Sequence, residues 1–251
     1  MKVTKHEPGK FCWVDLNTSS SVGAKEFYCK LMGWEYEDAP MGEGMVYTTF
    51  TLGGERVAAM FEDSFSSAPP HWNSYICVDD IEAVTAKSVA LGAVVRMEPM
   101  EVMGHGKMSS ISDPTGALVS FWQPQTHTGY TLVNEPCAIC WNELSTNNVA
   151  VAEKFYSELL GYGVKHSMMT GPYVELQVEG KSVAGITEME SELKEAPSYW
   201  GVYYTVGNCK ETVAKAESLG ATVLIHPREV PGVGVWAMIK DPQGAIFAIM
   251  A

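Results

Sequence analysis

Short apolar runs broken by turn residues fill most of the chain and predict a protein built mainly of strands. Residues 11–16 are apolar and β-prone, so they predict a first strand. Residues 22–32 then carry apolar side chains at helical spacing, after serines suited to an N-cap and before Gly33. A glycine at that point supplies the left-handed residue that commonly ends a helix. The chain is therefore predicted to begin with a strand followed by a helix.

The remainder of the first half alternates hairpins with one more helix. Residues 45–52 alternate apolar and polar side chains, and Gly53-Gly54 suits a two-residue hairpin turn. Further strands are predicted at 56–61, 72–78, 94–97, 108–112 and 117–122, with a helix at 81–91. The order β-α-β-β, then β-α-β-β-β, excludes a doubly wound parallel sheet, which needs a helix between nearly all strands. We expect an α+β fold.

The second half of the chain repeats the first at an offset of 128 residues, which falls to 126 in the middle. A two-residue deletion in a loop explains the change of offset. The recurrence of Trp, Gly and Pro at matched positions indicates two tandem copies of one module. We predict a first module at 1–124, a linker at 125–136 and a second module at 137–251. Matched pairs include Trp13 with Trp141, Tyr28 with Tyr156, Trp72 with Trp200, Tyr75 with Tyr203, and Asp113 with Asp241.

Composition narrows the class of protein and of partner. The chain has 251 residues, a formal charge of −13 and no apolar run close to the length of a membrane span. Such an acidic chain repels nucleic acid backbones and anionic membranes, so we predict neither as a partner. The six cysteines show one CxxC without a second metal-binding pair, which favours reduced thiols. We predict a cytoplasmic protein, monomeric or homodimeric, with no signal peptide.

An ordered set of residues carries a resemblance to a known family. These are Phe27-Tyr28 with Gly33-Trp34, the strand at 75–78 with Asp79-Asp80, Leu91-Gly92-Ala93, the turn Asp113-Pro114-Thr115-Gly116, and their second-half partners. In this the chain resembles the vicinal oxygen chelate superfamily, the glyoxalase, bleomycin-resistance and extradiol dioxygenase group. The resemblance implies tandem modules of paired βαβββ units. Their mixed or antiparallel sheets curl around a ligand cavity, with helices on the convex side.

Metal-using members of that family place His, Glu or Gln at inward strand positions, where the metal acts as a Lewis acid. Counting back from Phe27 for the first strand, and onward from the turn residue Asp113 for the last, places these ligand positions on side chains that bind divalent metals poorly. We therefore predict no metal and no other cofactor. The slots fall on Trp13, Asn73 and Ser120 in the first module, and on Trp141, Gly201 and Ala248 in the second.

Strand alternation offers candidate site residues in both modules. If Trp13 faces the cavity, Asp15 shares its face, and Trp141 and Glu143 repeat the arrangement. The indole would be a stacking wall, and the carboxylate a hydrogen-bond acceptor or general base. Alternatively, both carboxylates serve packing, because a packing role would repeat with the fold.

Other candidates follow from strand position or from asymmetry between the halves. Glu175 is a third possible base, since Thr49 takes its place in the first half. His105 lies in a Met- and Gly-containing segment, 97–108, that could form a flap over the cavity mouth. The remaining predicted ligand-binding residues are Tyr47, Asn73, Tyr75, Ser120 and Tyr203.

Several functions stay open on these observations. The first is a metal-free protein that holds a small, partly aromatic or carbonyl-bearing molecule. The second is a metal-free lyase, isomerase or hydrolase that uses a strand carboxylate as its base. A metal-dependent lactoylglutathione lyase or dioxygenase is a third, and a non-catalytic scaffold a fourth. The sequence leaves open whether the protein turns a substrate over.

Overall fold

Two eight-stranded mixed sheets form the protein, and four helices accompany them. The computed structural model describes residues 1–42, 44–63, 68–168, 171–193 and 196–251, and the backbone alone of Glu192. We refer to the first sheet with its two helices as module one, and to the second as module two. The arrangement confirms the predicted α+β class with two curled, paired βαβββ modules.

Module one holds the strand order β2-β3-β4-β1-β5-β8-β7-β6. β1 and β5 pair antiparallel at its centre, and each begins one βαβββ unit. Its elements are β1 (Phe11–Thr18), α1 (Ser21–Met32), β2 (Glu35–Gly42), β3 (Met45–Leu52), β4 (Glu55–Glu62), β5 (His71–Cys77), α2 (Ile81–Ala90), β6 (Val94–Val102), β7 (Gly106–Ser112) and β8 (Leu118–Pro124).

Module two repeats this order as β10-β11-β12-β9-β13-β16-β15-β14. A single 3-10 turn, Ser191–Leu193, interrupts the loop before β13. Its elements are β9 (Ile139–Thr146), α3 (Val149–Leu160), β10 (Gly163–Met168), β11 (Pro172–Val178), β12 (Lys181–Glu188), β13 (Tyr199–Thr205), α4 (Cys209–Ser218), β14 (Thr222–Val230), β15 (Gly234–Lys240) and β16 (Ile246–Met250).

The sequence pattern missed the edge strand of the first unit. Residues Glu35–Gly42 form β2, and all eight are exposed, so no alternation of apolar and polar residues marks them. The segment also contains Pro40 and several acidic residues, which disfavour a strand by propensity. The sequence pattern also predicts loops, element ends or turns at all six histidines, and this is wrong for His166, which lies in β10, and for His226, which lies in β14.

Helix ends follow the local chemistry that the sequence predicts. The Ser20 hydroxyl accepts from the Gly23 amide at the start of α1, and the Asn148 side chain accepts from the Val151 amide before α3. Gly33 ends α1 at φ 72°, in the left-handed region that glycine tolerates best. Within the described ranges, none of the helices α1–α4 has the length and apolar character that crossing a bilayer requires.

Candidate functional site

A buried polar cluster lies at the centre of module one. The pleat of β1 places Trp13 and Asp15 on one face of the sheet. The Asp15 carboxylate accepts from Asn73 Nδ2 at 2.9 Å, Tyr75 Oη at 2.9 Å and Tyr47 Oη at 3.2 Å. Trp13 Nε1 donates to Tyr47 Oη at 2.8 Å, so the indole is tied to the same network. Three strands, β1, β3 and β5, thus converge on one carboxylate.

Module two builds the same cluster with one polar partner fewer. Glu143 accepts from Tyr203 Oη at 2.6 Å and Tyr173 Oη at 2.7 Å, and Trp141 Nε1 donates to Tyr173 Oη at 2.9 Å. Gly201 pairs with Glu143 across the strands and supplies no side-chain donor. The structure therefore brings the predicted Trp, carboxylate and Tyr residues of each module together. Tyr173 was not among them, although the 126-residue offset from Tyr47 could have identified it.

Burial governs the protonation of both clusters. Desolvation raises the pKa of Asp15 and of Glu143, while the hydrogen bonds from their partners lower it. Burial also raises the pKa of Tyr75 and Tyr203 well above the usual range, and the neighbouring carboxylates add to the shift. The phenols consequently remain protonated donors, and the hydrogen bonds that hold each carboxylate in place come from neutral groups, which include the Asn73 amide in module one.

An open cavity of about 570 Å³ occupies the concave face of module two. This volume lies within the range of pockets that hold drug-sized ligands. The Glu143 side chain lines this cavity beside a largely apolar wall. That wall includes Trp141, Tyr203, Met189, Val230, Trp236 and Met250.

Further charged groups border this cavity, among them Arg228 and Glu175. Arg228 lies over the Trp236 ring, with its guanidinium carbon 5.0 Å from the ring centroid, and donates to Glu190 at 2.7 Å. Glu175 bonds to the Ser182 hydroxyl and to Lys165, and these two partners lower its pKa. Sequence reasoning did not identify Arg228; its only signal was the aliphatic Met100 at the matching position of module one.

A segment of the chain itself lies against one end of the concave face of module one. The His127 ring, from the segment after β8, lies 4.6 Å from the Trp13 ring, and Trp122 Nε1 donates to the His127 carbonyl at 2.9 Å. Tyr130 from the same segment donates to the Phe11 carbonyl. Trp13 is therefore only 4% exposed, whereas Trp141 is half-buried and faces the open cavity.

Two predicted ligand-binding residues lie outside the polar clusters. Ser120 is buried, and its hydroxyl shares a 2.6 Å hydrogen bond with Ser110. His105 is exposed at the tip of the β6–β7 hairpin, where Nδ1 lies 3.2 Å from Thr126 Oγ1. Ser120 is thus engaged in packing between neighbouring strands, and His105 contacts the segment that enters module one.

The donors at the family's metal slots do not fit a divalent ion. Trp141, Gly201 and Ala248 offer no carboxylate, imidazole or thiolate in module two. In the parts of the chain that the structure describes, no three His, Cys, Asp or Glu side chains are grouped to hold a metal. Glu143, the acidic residue closest to those slots, already accepts two phenol hydroxyls.

Comparison of the whole sequence finds full-length relatives. The chain is 41% identical over 257 aligned positions to "Putative glyoxylase CFP32" of Mycobacterium tuberculosis and Mycobacterium bovis, covering 99% of this chain and 97% of the relative. It is 29% identical to "Anthracycline biosynthesis protein DnrV" of Streptomyces peucetius, covering 99% and 95% respectively. These alignments span both modules and the linker.

Solved structures share the fold at low sequence identity. The Mn(II)-bound glyoxalase of Novosphingobium aromaticivorans superposes with a TM-score of 0.66 at 17% identity, covering 96% of this chain and 81% of that one. The 2,3-dioxygenase LapB of Pseudomonas sp. KL28 gives 0.65 at 16%, covering 98% and 93%. The sequence model of the glyoxalase/bleomycin resistance protein/dioxygenase superfamily also matches residues 10–121. With its full-length relatives and its tandem modules, the chain belongs to the glyoxalase/bleomycin resistance protein/dioxygenase superfamily.

Proposed function

We propose that the protein holds a small, partly aromatic or carbonyl-bearing molecule in the module-two cavity without using a metal. The observation that carries this proposal is the open cavity itself, with Trp141 and Trp236 in its wall and the Glu143 carboxylate opening onto it. Aromatic walls with a few fixed polar groups are the usual composition of small-molecule sites. The donors at the metal slots, described above, support a metal-free mode of binding.

Each polar group of the site has capacity left for a ligand. Each Glu143 oxygen accepts one phenol hydroxyl and can accept a further donor, such as a ligand hydroxyl. The Tyr203 oxygen donates to Glu143 and can itself accept. The indole faces supply stacking area for a planar ring. A planar ring that carries a hydroxyl group satisfies both requirements, because the hydroxyl can donate to these oxygens and the ring can stack on an indole.

The relatives suggest a suitable first probe. Two Streptomyces relatives, at 28% and 29% identity, are named anthracycline biosynthesis proteins. We therefore choose 1,4-dihydroxyanthraquinone, a planar molecule that carries both hydroxyl and carbonyl groups and whose hydroxyl groups can donate to the site. Its volume suits a pocket of a few hundred cubic ångströms.

The test is a titration of tryptophan fluorescence with this quinone, using protein dialysed against a chelator and then freed of it. We expect saturable quenching with one site per chain, about tenfold or more weaker affinity for Glu143→Gln, and unchanged affinity for the matched module-one variant Asp15→Asn. Absence of saturable quenching with this and related hydroxylated quinones contradicts the proposal. So does binding that appears only after Zn²⁺, Mn²⁺, Ni²⁺ or Fe²⁺ is added.

A second function, general acid–base catalysis, is favoured by one observation. Burial raises the pKa of Glu143, which brings this carboxyl closer to the neutral range where proton transfer is efficient. Of the three predicted bases, Asp15 is 2% exposed and already accepts three side-chain donors, and Glu175 is bound to Lys165. A turnover screen on α-ketoaldehydes, epoxides and catechols, with and without metal, separates a metal-free enzyme from a metal-dependent lyase or dioxygenase and from a binding protein.

A further inference from the structure

The His127 ring packs against two tryptophans of module one, and its backbone is bound to a third residue. Its centroid lies 4.6 Å from that of Trp13, with the planes at 81°, and 5.9 Å from that of Trp122, with the planes at 89°. The His127 amide donates to the His105 carbonyl at 3.0 Å. The ring is therefore set edge-on between two indoles, an arrangement that aromatic groups favour.

The internal repeat identifies the region of module two that corresponds to the surroundings of His127. The residues 128 positions after Trp13, His105 and Trp122 are Trp141, Val233 and Met250. All three line the open cavity of module two. His127 thus occupies, in module one, the end of the concave face that is empty in its counterpart.

The segment around His127 is anchored by contacts that module two lacks. Arg56 donates from Nε to the Gly129 carbonyl at 3.1 Å and from Nη2 to Thr128 Oγ1 at 3.3 Å. Ser182, which matches Arg56 at the 126-residue offset, is too short to make such contacts. Gly129 has φ +109°, and a Cβ there would collide with the Cys12 carbonyl, so the segment lies directly against β1.

We propose that module one is a second ring-binding site of the chain, that His127 is its resident occupant, and that it accepts a free planar heteroaromatic ring once this side chain is removed. The polar cluster around Asp15 is complete, as in module two, so the recess retains its floor. Desolvation, with Arg56, lowers the pKa of His127 to about 4, and the occupant at neutral pH is an uncharged ring. The inference concerns module one and does not require that module two bind a ligand.

The test replaces the side chain and returns the ring as free imidazole at pH 7.5. His127→Ala leaves a recess of imidazole size, whereas the matched variant His127→Phe keeps it filled. Imidazole at about ten times its dissociation constant should raise the melting temperature of His127→Ala by about 3 °C beyond its effect on wild type. When imidazole is added, the indole N–H resonances of Trp13 and Trp122 should shift in His127→Ala and not in the other two proteins.

Equal responses of the alanine, phenylalanine and wild-type proteins to imidazole overturn the proposal. Trp141→Phe, added to His127→Ala, should leave the imidazole response intact, which separates this site from the module-two cavity. If His127→Ala does not fold, Arg56→Gln loosens the anchor and keeps the ring. Imidazole should then compete with His127 and shift the Trp13 resonance, and no shift up to solubility refutes the inference.

Discussion

Tyr28 of module one donates its phenol hydroxyl to the Asp241 carboxylate of module two at 2.9 Å. The reciprocal pair, Tyr156 to Asp113, is formed at 2.8 Å. The other oxygen of each aspartate accepts backbone amides of its own turn, for example from Ala117 at 3.1 Å. The last turn of each module is thereby bound to the first helix of the other module. These bonds hold the two modules together without entering either concave face.

Loss of one such phenol should destabilise the protein without affecting the site. Tyr28→Phe leaves the buried Asp241 carboxylate without its partner and removes the acceptor of the Trp72 indole N–H, 3.2 Å away. We expect a loss of about 1–3 kcal/mol in the free energy of unfolding, measured by denaturant titration. Quinone affinity per folded molecule should not change. A stability equal to wild type would show that these bonds contribute nothing net.

The two matched tryptophans should differ in their response to a ligand. Trp141 borders the open cavity, whereas Trp13 lies beneath His127. Trp141→Phe should therefore remove most of the fluorescence change that the quinone causes, and Trp13→Phe should leave most of it. Equal losses in the two variants would indicate two equivalent sites per chain.

The two carboxylates should separate a packing role from a binding role. Asp15 is buried and accepts three side-chain donors, so Asp15→Asn should lower stability by about 1–3 kcal/mol and leave binding intact. Glu143 borders the cavity, so Glu143→Gln should reduce affinity or turnover with a smaller change in melting temperature. Thermal melts run beside the titrations decide between these outcomes, and the reverse pattern would reassign the site to module one.

Acid should release the segment that covers module one. The pKa of His127 is about 4 when the ring is buried and near 6.5 when it is free, so the proton binds the released form preferentially. Docking is therefore strongest above about pH 6.5 and weakens as the pH falls toward 4, by up to about tenfold per unit. Arg56, His105 and His6 face the ring and also disfavour its protonation.

Hydrogen exchange at the Trp122 indole N–H, which donates to the His127 carbonyl, measures this opening locally. Global melting is less suitable, because Glu143 and Asp241 have raised pKa values and shift stability in the opposite sense over part of the same range. His127→Phe is the matched control, and in this variant the opening of the segment should no longer depend on pH. A wild-type exchange rate that follows the control between pH 6.5 and 4 would contradict the prediction.

Protein purified without chelators should contain no stoichiometric transition metal. The reason is the chemistry of Trp141, Gly201 and Ala248 at the slots where metal-using relatives place their ligands. Elemental analysis of the purified chain checks this directly. About one Zn, Ni, Fe or Mn per chain, lost when Glu143 is replaced, would revive the metal-dependent alternative.

The internal repeat made most of the fold predictable, since each strand and helix of one half supports its counterpart in the other. The edge strand β2 escaped because its exposed residues carry no apolar alternation. Strand alternation was enough to predict that Trp141 and Glu143 lie together in one network. The pairing of Arg228 with Glu190 joins β14 to the loop after β12, 38 residues away, and the path of the segment that carries His127 depends on tertiary contacts with Arg56. Neither leaves a periodic signal in the sequence.

A single chain has only one joint between two modules, and that joint can enter only one concave face. Two identical modules related by an exact two-fold axis would present two identical recesses, since symmetry copies every feature. The covalent connection removes that constraint, because the segment that carries His127 links the two modules and lies against module one. Two modules of nearly the same fold thus acquire different surfaces because of how the chain connects them. This difference does not require any substitution in their strands.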